Sequence, residues 1–197
     1  MNILKKLSVI IVTYNTAEKI ILDCLQSIQK DIKVLIVENS NNFLHERIVK
    51  SRFPNTEIYC TGENLGYGGG NNYGLQKAGS DYALIINPDI ICDKDLFSNI
   101  SEVINETNDF SIIGCQYLHD RVFMPAGFFK KSKNEEFRQN FLNNNLDILS
   151  EVEWVTGCSM LLNLKKFKHK KIFDENFFLY FEEVDLCKSL ICLLYTS

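Results

Sequence analysis

The segment Leu84-Ile85-Ile86-Asn87-Pro88-Asp89 is an apolar run that stops on a proline and a carboxylate. Proline has no N–H to donate and cannot continue a central strand, so Asp89 is expected in the turn beyond the strand's carboxyl end. Open α/β sheets bind ligands there. A carboxylate in that place is a hard oxygen ligand for Mg²⁺ or Mn²⁺ holding a phosphate, whereas the plain alternative is a turn that caps the next helix. A second acidic group, Glu182-Glu183-x-Asp185, follows the aromatic residues Phe178, Tyr180 and Phe181. Acids at a helix start interact favourably with its dipole. A carboxylate partly desolvated by aromatic rings also gains proton affinity and can serve as a general base. One metal-binding carboxylate and one separate base form the minimum set for moving a group from a nucleotide diphosphate to a hydroxyl.

Other polar groups recur where strands should end. Thr13, Tyr14 and Asn15 follow a first apolar run, and Glu38, Asn39 and Ser40 follow a second. Each set by itself reads as a helix cap or Asx-turn. Four such ends on parallel neighbours would instead line one edge of a sheet and form a cleft. Between them lies the glycine-rich segment Asn64-Leu65-Gly66-Tyr67-Gly68-Gly69-Gly70-Asn71-Asn72, which opens a helix and leaves N–H groups free to approach an anion. Its loose G-x-G pattern follows the third strand, and no acidic strand end comes after it as a dinucleotide site requires; the absence of Gly-Lys-Ser/Thr excludes a P-loop.

The elements that must position these groups alternate between strand and helix through the first half of the chain, which predicts parallel βαβ units in one sheet. Strands are expected over residues 7–12, 34–37, 57–60, 82–86 and 111–115. A helix carrying Ile20, Ile21, Cys24, Leu25 and Ile28 on one face should follow Asn15, with Asn15, Thr16 and Glu18 resembling a capping box. Further helices are expected over 43–50, 71–77 and from an Asp93 cap through Ile104. Residues 117–150 read as an irregular insertion with one helix near 135–142, after which 152–156 and 159–162 regain strand character.

At 197 residues, 46% hydrophobic and 23% charged, the chain suits a single domain with one sizeable core. A net charge of −4 gives no general drive toward nucleic acid. The basic run from Lys165 to Lys171 reads as a solvated face and also allows peripheral association with an anionic membrane. Seven cysteines stand singly without zinc spacing, no signal peptide is expected, and no run approaches the roughly 20 apolar residues of a membrane span. These features favour a cytoplasmic location. The last six residues, from Cys192 to Ser197, resemble the translation of a sequencing adapter, so the natural chain is expected to continue past Ile191.

Six ordered motifs resemble those of family 2 glycosyltransferases of the rhamnosyltransferase-like branch. They are Ser8-Val9-Ile10-Ile11-Val12-Thr13-Tyr14-Asn15, Val37-Glu38-Asn39-Ser40, Asn64 through Gly74, Asn87-Pro88-Asp89, Trp154-Val155-Thr156-Gly157 and Phe178 through Leu186. The resemblance implies an α/β GT-A fold, with a mostly parallel central sheet flanked by helices. It implies one domain over residues 1–191, with a nucleotide-binding half over 1–116 and an acceptor half over 117–191. By the same resemblance Thr13, Tyr14, Asn15 and Asn39 would line the nucleotide site and Glu38 would meet the base or ribose. Gly66, Asn71 and Asn87 would lie beside the donor, and Asp89 would carry the metal, Mg²⁺ or Mn²⁺. Trp154, Thr156 and Gly157 would border the acceptor, and Glu183 would be the catalytic base, with Glu182 and Asp185 as alternatives.

The implied reaction is inverting transfer from a UDP- or dTDP-sugar to a saccharide or lipid-linked saccharide, in the synthesis of surface polysaccharide or lipopolysaccharide. Two positions depart from the family pattern, because Glu38 and Glu183 each replace a more usual Asp. The extra methylene at Glu183 makes a non-catalytic sugar- or nucleotide-binding module of the same fold the alternative. A sugar-nucleotide pyrophosphorylase would need a Gly-rich, basic loop after the first strand, and Thr13 to Lys19 offers none.

Overall fold

A computed structural model describes residues 3–107, 109–119, 122–124, 127–128 and 152–190. The helix expected near 135–142 and the adapter-like residues 192–197 lie outside the described residues. Strands β1 (Leu7–Thr13), β2 (Lys33–Glu38), β3 (Thr56–Cys60) and β4 (Tyr82–Ile86) alternate with helices α1 (Glu18–Ser27), α2 (Glu46–Arg52) and α3 (Gly66–Ala78). Helix α4 (Leu96–Glu106) leads to β5 (Ile112–Gly114). Short strands β6 (Tyr117–His119), β7 (Val122–Met124), β8 (Gly127–Phe128) and β9 (Trp154–Val155) precede β10 (Ser159–Asn163) and the last helix, α5 (Glu182–Ser189).

The main sheet has six strands in the order β3-β2-β1-β4-β10-β5. Strands β1 to β4 pair in parallel, with Thr13 beside Glu38 and Ile11 beside Ile86, so their carboxyl ends share one edge. Strand β10 enters between β4 and β5 and runs antiparallel to both. Its first residue, Ser159, pairs with Ile86, so the residues preceding β10 arrive at the edge where β4 ends. A hydrogen bond from the Asn87 amide to the Cys158 carbonyl, 3.0 Å, fixes that junction. The expected strand over 152–156 is shorter and separate. Among the described residues only Trp154 and Val155 of this segment pair, antiparallel to Gly127 and Phe128, because Thr156 to Cys158 must turn the chain into β10.

The alternation of side chains sorts two apolar layers. Val9, Ile11, Ile36, Leu84, Ile86 and Leu161 face α1, α2 and α4 through Ile21, Cys24, Leu25, Val49, Phe97 and Ile100. Ile10, Leu35, Ile85, Met160 and Leu162 face the other way, against Leu75, Phe173 and Leu186. Each such burial contributes about 1.5–3 kcal/mol, and together they hold the strand ends rigid.

Several helix starts differ from their expectations. The α1 cap is Ala17 without a side-chain bond, so no capping box forms. Asn15 instead takes a left-handed φ of 50° and turns its amide to Glu38. Helix α4 is capped at Asp95, while Asp93 accepts the Asp95 amide at 2.9 Å as an Asx-turn. Helix α3 begins at Gly66, five residues before the expected start. Glycine costs about 1 kcal/mol per helical position, so propensity argues against this extension. Close packing decides it: a Cβ on Gly70 would lie 2.7 Å from Val12 and 2.9 Å from the Asn39 amide nitrogen.

Candidate active site

The end of β1 and the end of β2 are joined by one carboxylate. Glu38 is 2% exposed. It accepts hydrogen bonds from the Thr13 hydroxyl at 2.6 Å, the Ser40 hydroxyl at 2.7 Å and the Asn15 amide at 3.1 Å. A buried carboxylate with three donors is well compensated. Its oxygens brace the loops that follow β1 and β2, and the side chain that projects from this corner is Tyr14, 55% exposed. Asn39 continues the brace. Its amide donates to the Thr13 carbonyl at 2.7 Å, and its side-chain nitrogen donates to the Gly66 carbonyl at 2.8 Å.

Gly66 sits at φ +74°, where an L side chain is strained, and a Cβ there would fall 2.1 Å from the Phe178 carbonyl oxygen. The following amide, of Tyr67, donates to that same carbonyl at 3.1 Å. The glycine loop is thus fastened to β2 on one side and to the aromatic segment before α5 on the other. Asn71, 0% exposed, donates to the Tyr67 carbonyl at 3.0 Å, and its own oxygen has no partner. Asn72 holds the chain leading to the acids: its oxygen accepts the Ile172 and Phe173 amides at 2.8 and 2.9 Å, and its nitrogen donates to the Phe173 carbonyl at 2.8 Å.

Beyond β4 the chain turns tightly, with the Ile90 amide bonded to the Asn87 carbonyl at 3.2 Å, and Asp89 is exposed on that turn. Among the described residues no three acidic, imidazole or thiol side chains converge to hold a cation. Asp89 therefore offers one hard oxygen ligand. That donor set fits Mg²⁺ or Mn²⁺, which keep several waters and complete their shell with substrate phosphate, and does not fit a closed protein cage.

The three acids of the last motif part company. Glu182 is 4% exposed, with one carboxylate oxygen unpartnered. Burial, and then the Glu183 carboxylate, hold its pKa above the usual range. Asp185 lines a different pocket, with Lys171, Phe173, Glu175, Asn176 and Ser189. Glu183 is half-buried against the turn before β10, its carboxyl carbon 3.7 Å from where a Gly157 Cβ would stand. The Cys158 thiol next to it is pushed up by burial, and then by both Asp89 and Glu183. Both carboxylates therefore belong to the surroundings of one turn, Glu183 beside Gly157 and Asp89 two residues beyond the Asn87 amide that bonds the Cys158 carbonyl. Thr156 faces Cys158 across 3.4 Å, while Trp154 stands two residues earlier, in the ladder with Phe128.

The structure thus gathers Thr13, Asn15, Glu38, Asn39, Gly66, Asn71, Asn87, Asp89, Gly157, Glu182 and Glu183 along one sheet edge. Asp185 is left out of the gathering, and Trp154 stands back from it. Sequence reasoning passed over Tyr67 and Asn72. The available signal was a polar aromatic inside a glycine run, and an amide directly beside one already singled out.

A mixed sheet with a strand-end cleft of this kind is the GT-A glycosyltransferase fold. The crystal structure of S. aureus TarS 1-349 matches 92% of this chain and 54% of that one, with a TM-score of 0.67 at 20% identity. The Pyrobaculum calidifontis mannosyltransferase PcManGT, in complex with GDP-Man and Mn²⁺, matches 87% of this chain and 48% of that one, with a TM-score of 0.56 at 16% identity. The chain belongs to glycosyl transferase family 2, whose sequence pattern matches residues 8–180. Its relatives include the low-salt glycan biosynthesis hexosyltransferase Agl10 of Haloferax volcanii, 28% identical over 93% of this chain and 61% of the relative. Another is the rhamnosyltransferase WbbL of Escherichia coli K12, 27% identical over 92% of this chain and 75% of the relative. The chain accordingly spans under two thirds of the length of the archaeal relative. No helix among the described residues is long and apolar enough to cross a membrane.

Proposed function

We propose that the protein is an inverting glycosyltransferase that moves a sugar from a nucleotide-diphosphate donor, a UDP- or dTDP-sugar, to a hydroxyl of a saccharide or lipid-linked saccharide. The product class is cell-surface polysaccharide or lipopolysaccharide. The observation that carries this reading is the pair of carboxylates around one turn: Asp89 exposed on the donor side, and Glu183 half-buried beside Gly157. Family membership and the hexosyl- and rhamnosyltransferase relatives support the same class.

In this reading the corner formed by Thr13, Tyr14, Asn15 and Asn39 borders the nucleoside, with Glu38 bracing it from behind. Gly66 and Asn71 set the start of α3 beside the diphosphate, where the helix dipole favours an anion. Asp89 would hold Mg²⁺ or Mn²⁺, supported by its hard-ligand chemistry and by the Mn²⁺ complex of the structural relative. The ion would neutralise charge on the departing nucleotide diphosphate. Glu183 takes the proton of the acceptor hydroxyl as its oxygen bonds to the anomeric carbon; the bond from that carbon to the phosphate oxygen breaks, and the configuration inverts. Thr156, Gly157 and, further back, Trp154 border the acceptor. A peripheral place at the inner face of a membrane suits a lipid-linked acceptor and the basic run Lys165 to Lys171.

Transfer from labelled UDP-, dTDP- and GDP-sugars with Mn²⁺ tests the proposal. The Asp89→Ala variant is expected to lose Mn²⁺-dependent turnover, and full retention would sink the metal assignment. Donor binding without any turnover in the parent would select the non-catalytic reading, which the longer Glu183 side chain motivates.

A further inference from the structure

Tyr67 is tied at three points, two in the segment before α5 and one in the turn before β10. Its amide donates to the Phe178 carbonyl at 3.1 Å. Its ring meets Phe173 edge-on, with centroids 6.0 Å apart and planes at 82°. Its hydroxyl donates to the Gly157 carbonyl, ninety residues away in sequence. The hydroxyl end is desolvated, and burial, then Glu182 and Glu183, hold its pKa well above the usual tyrosine value. A carbonyl can only accept, so the hydroxyl is the donor in this bond.

A phenylalanine would meet Phe173 equally well, so the ring does not account for the oxygen. A hydroxyl drawn away from water is costly unless it is bonded, and the carbonyl that meets this partly buried one belongs to the turn against which Glu183 rests. A Cβ built on Gly157 would lie 3.4 Å from the tyrosine oxygen and 3.7 Å from the Glu183 carboxyl carbon. Those two groups thus meet the same face of Gly157.

We infer that Tyr67 is a positioning residue, whose hydroxyl fixes the Gly157 turn and through it the place of the Glu183 carboxylate relative to the glycine-bearing start of α3. The inference rests on Glu183 being the base. Because α3 borders the donor and the Gly157 turn borders the acceptor, this one bond ties together the two halves of the reacting pair. Misplacement of a reacting group by about 1 Å can cost roughly 100-fold in rate.

The test compares the parent with Y67F, E183Q and the double variant. Removing the hydroxyl should lower kcat by about 10- to 100-fold and leave the donor KM within about twofold, since donor contacts persist. Because Tyr67 acts through Glu183, the double variant should be no slower than E183Q alone. A folded Y67F with parental kcat overturns the inference, and so do losses that multiply in the double variant. Parental activity in E183Q would instead remove the base assignment, and this inference with it, an outcome visible in that single variant. A readout independent of turnover is the ¹³C signal of the Glu183 carboxyl carbon, which should move in Y67F while that of Asp89 stays put. An unmoved Glu183 signal also overturns the inference.

Discussion

Which carboxylate can take a proton from an acceptor is decided by the surroundings of three nearly adjacent acids. Glu182 is enclosed, with an unpartnered oxygen, and would have to leave its packing to meet a hydroxyl. Asp185 opens onto the pocket formed with Lys171 and Glu175. Glu183 alone of the three lies against the turn that shares an edge with Asp89. The amide variants should therefore rank sharply. E183Q is expected to lower kcat by about 100-fold or more, as loss of a general base does, and D185N to leave it within about twofold. Initial rates at saturating donor decide the matter, and a D185N loss as large as that of E183Q would reassign the base. The same residue-level view gives Glu38 its structural part, since donors from the ends of β1 and β2 meet on its carboxylate.

At the scale of elements, helix α3 is the part on which the others converge. Its start is fixed by Asn39, its glycines let it approach β1, and Asn72 clasps the segment that leads to α5. Asn72→Ala would leave two amides and a carbonyl of residues 172–173 without this partner, at a cost of about 2–4 kcal/mol. Urea unfolding measures it; a change near zero would mean that water replaces the clasp.

The α5 start gives a pH signature. Glu182 has its pKa raised by burial, and then by Glu183, above its ordinary value of 4.5. The folded chain then keeps a proton that the unfolded chain releases, so stability falls as pH rises from the unfolded value through the raised folded value. Glutamine carries no charge at any of these pH values. The midpoint of E182Q minus that of the parent should therefore grow as pH rises above 4.5, and a constant difference would contradict the raised pKa of Glu182.

For the whole molecule, the sheet acts as a rail carrying the Tyr14 corner, the Asp89 turn and the Gly157 turn along one edge. The two apolar layers hold that rail from both faces, so ligand binding should stabilise the fold as a unit. A nucleoside diphosphate with Mn²⁺ at 100 times its Kd should raise the thermal midpoint by about 5–10 °C. UDP, dTDP and GDP compared in one thermal-shift series would rank the nucleosides. No shift with any of the three would remove the donor site from this edge.

The sequence alone shows the parallel pairing expected of the first four strands, the exposed turn carrying Asp89 and the family of the chain. Those features rest on local chemistry: apolar runs, a proline that cannot pair, and motifs read in order. It could not determine that β10 enters antiparallel and so delivers Gly157 to the edge where β4 ends. Nor could it tell Glu182, Glu183 and Asp185 apart, extend α3 through its glycines, or single out Tyr67. Each of these was decided by partners distant along the chain, because strand pairing, desolvation and close backbone approach depend on what lies across the gap.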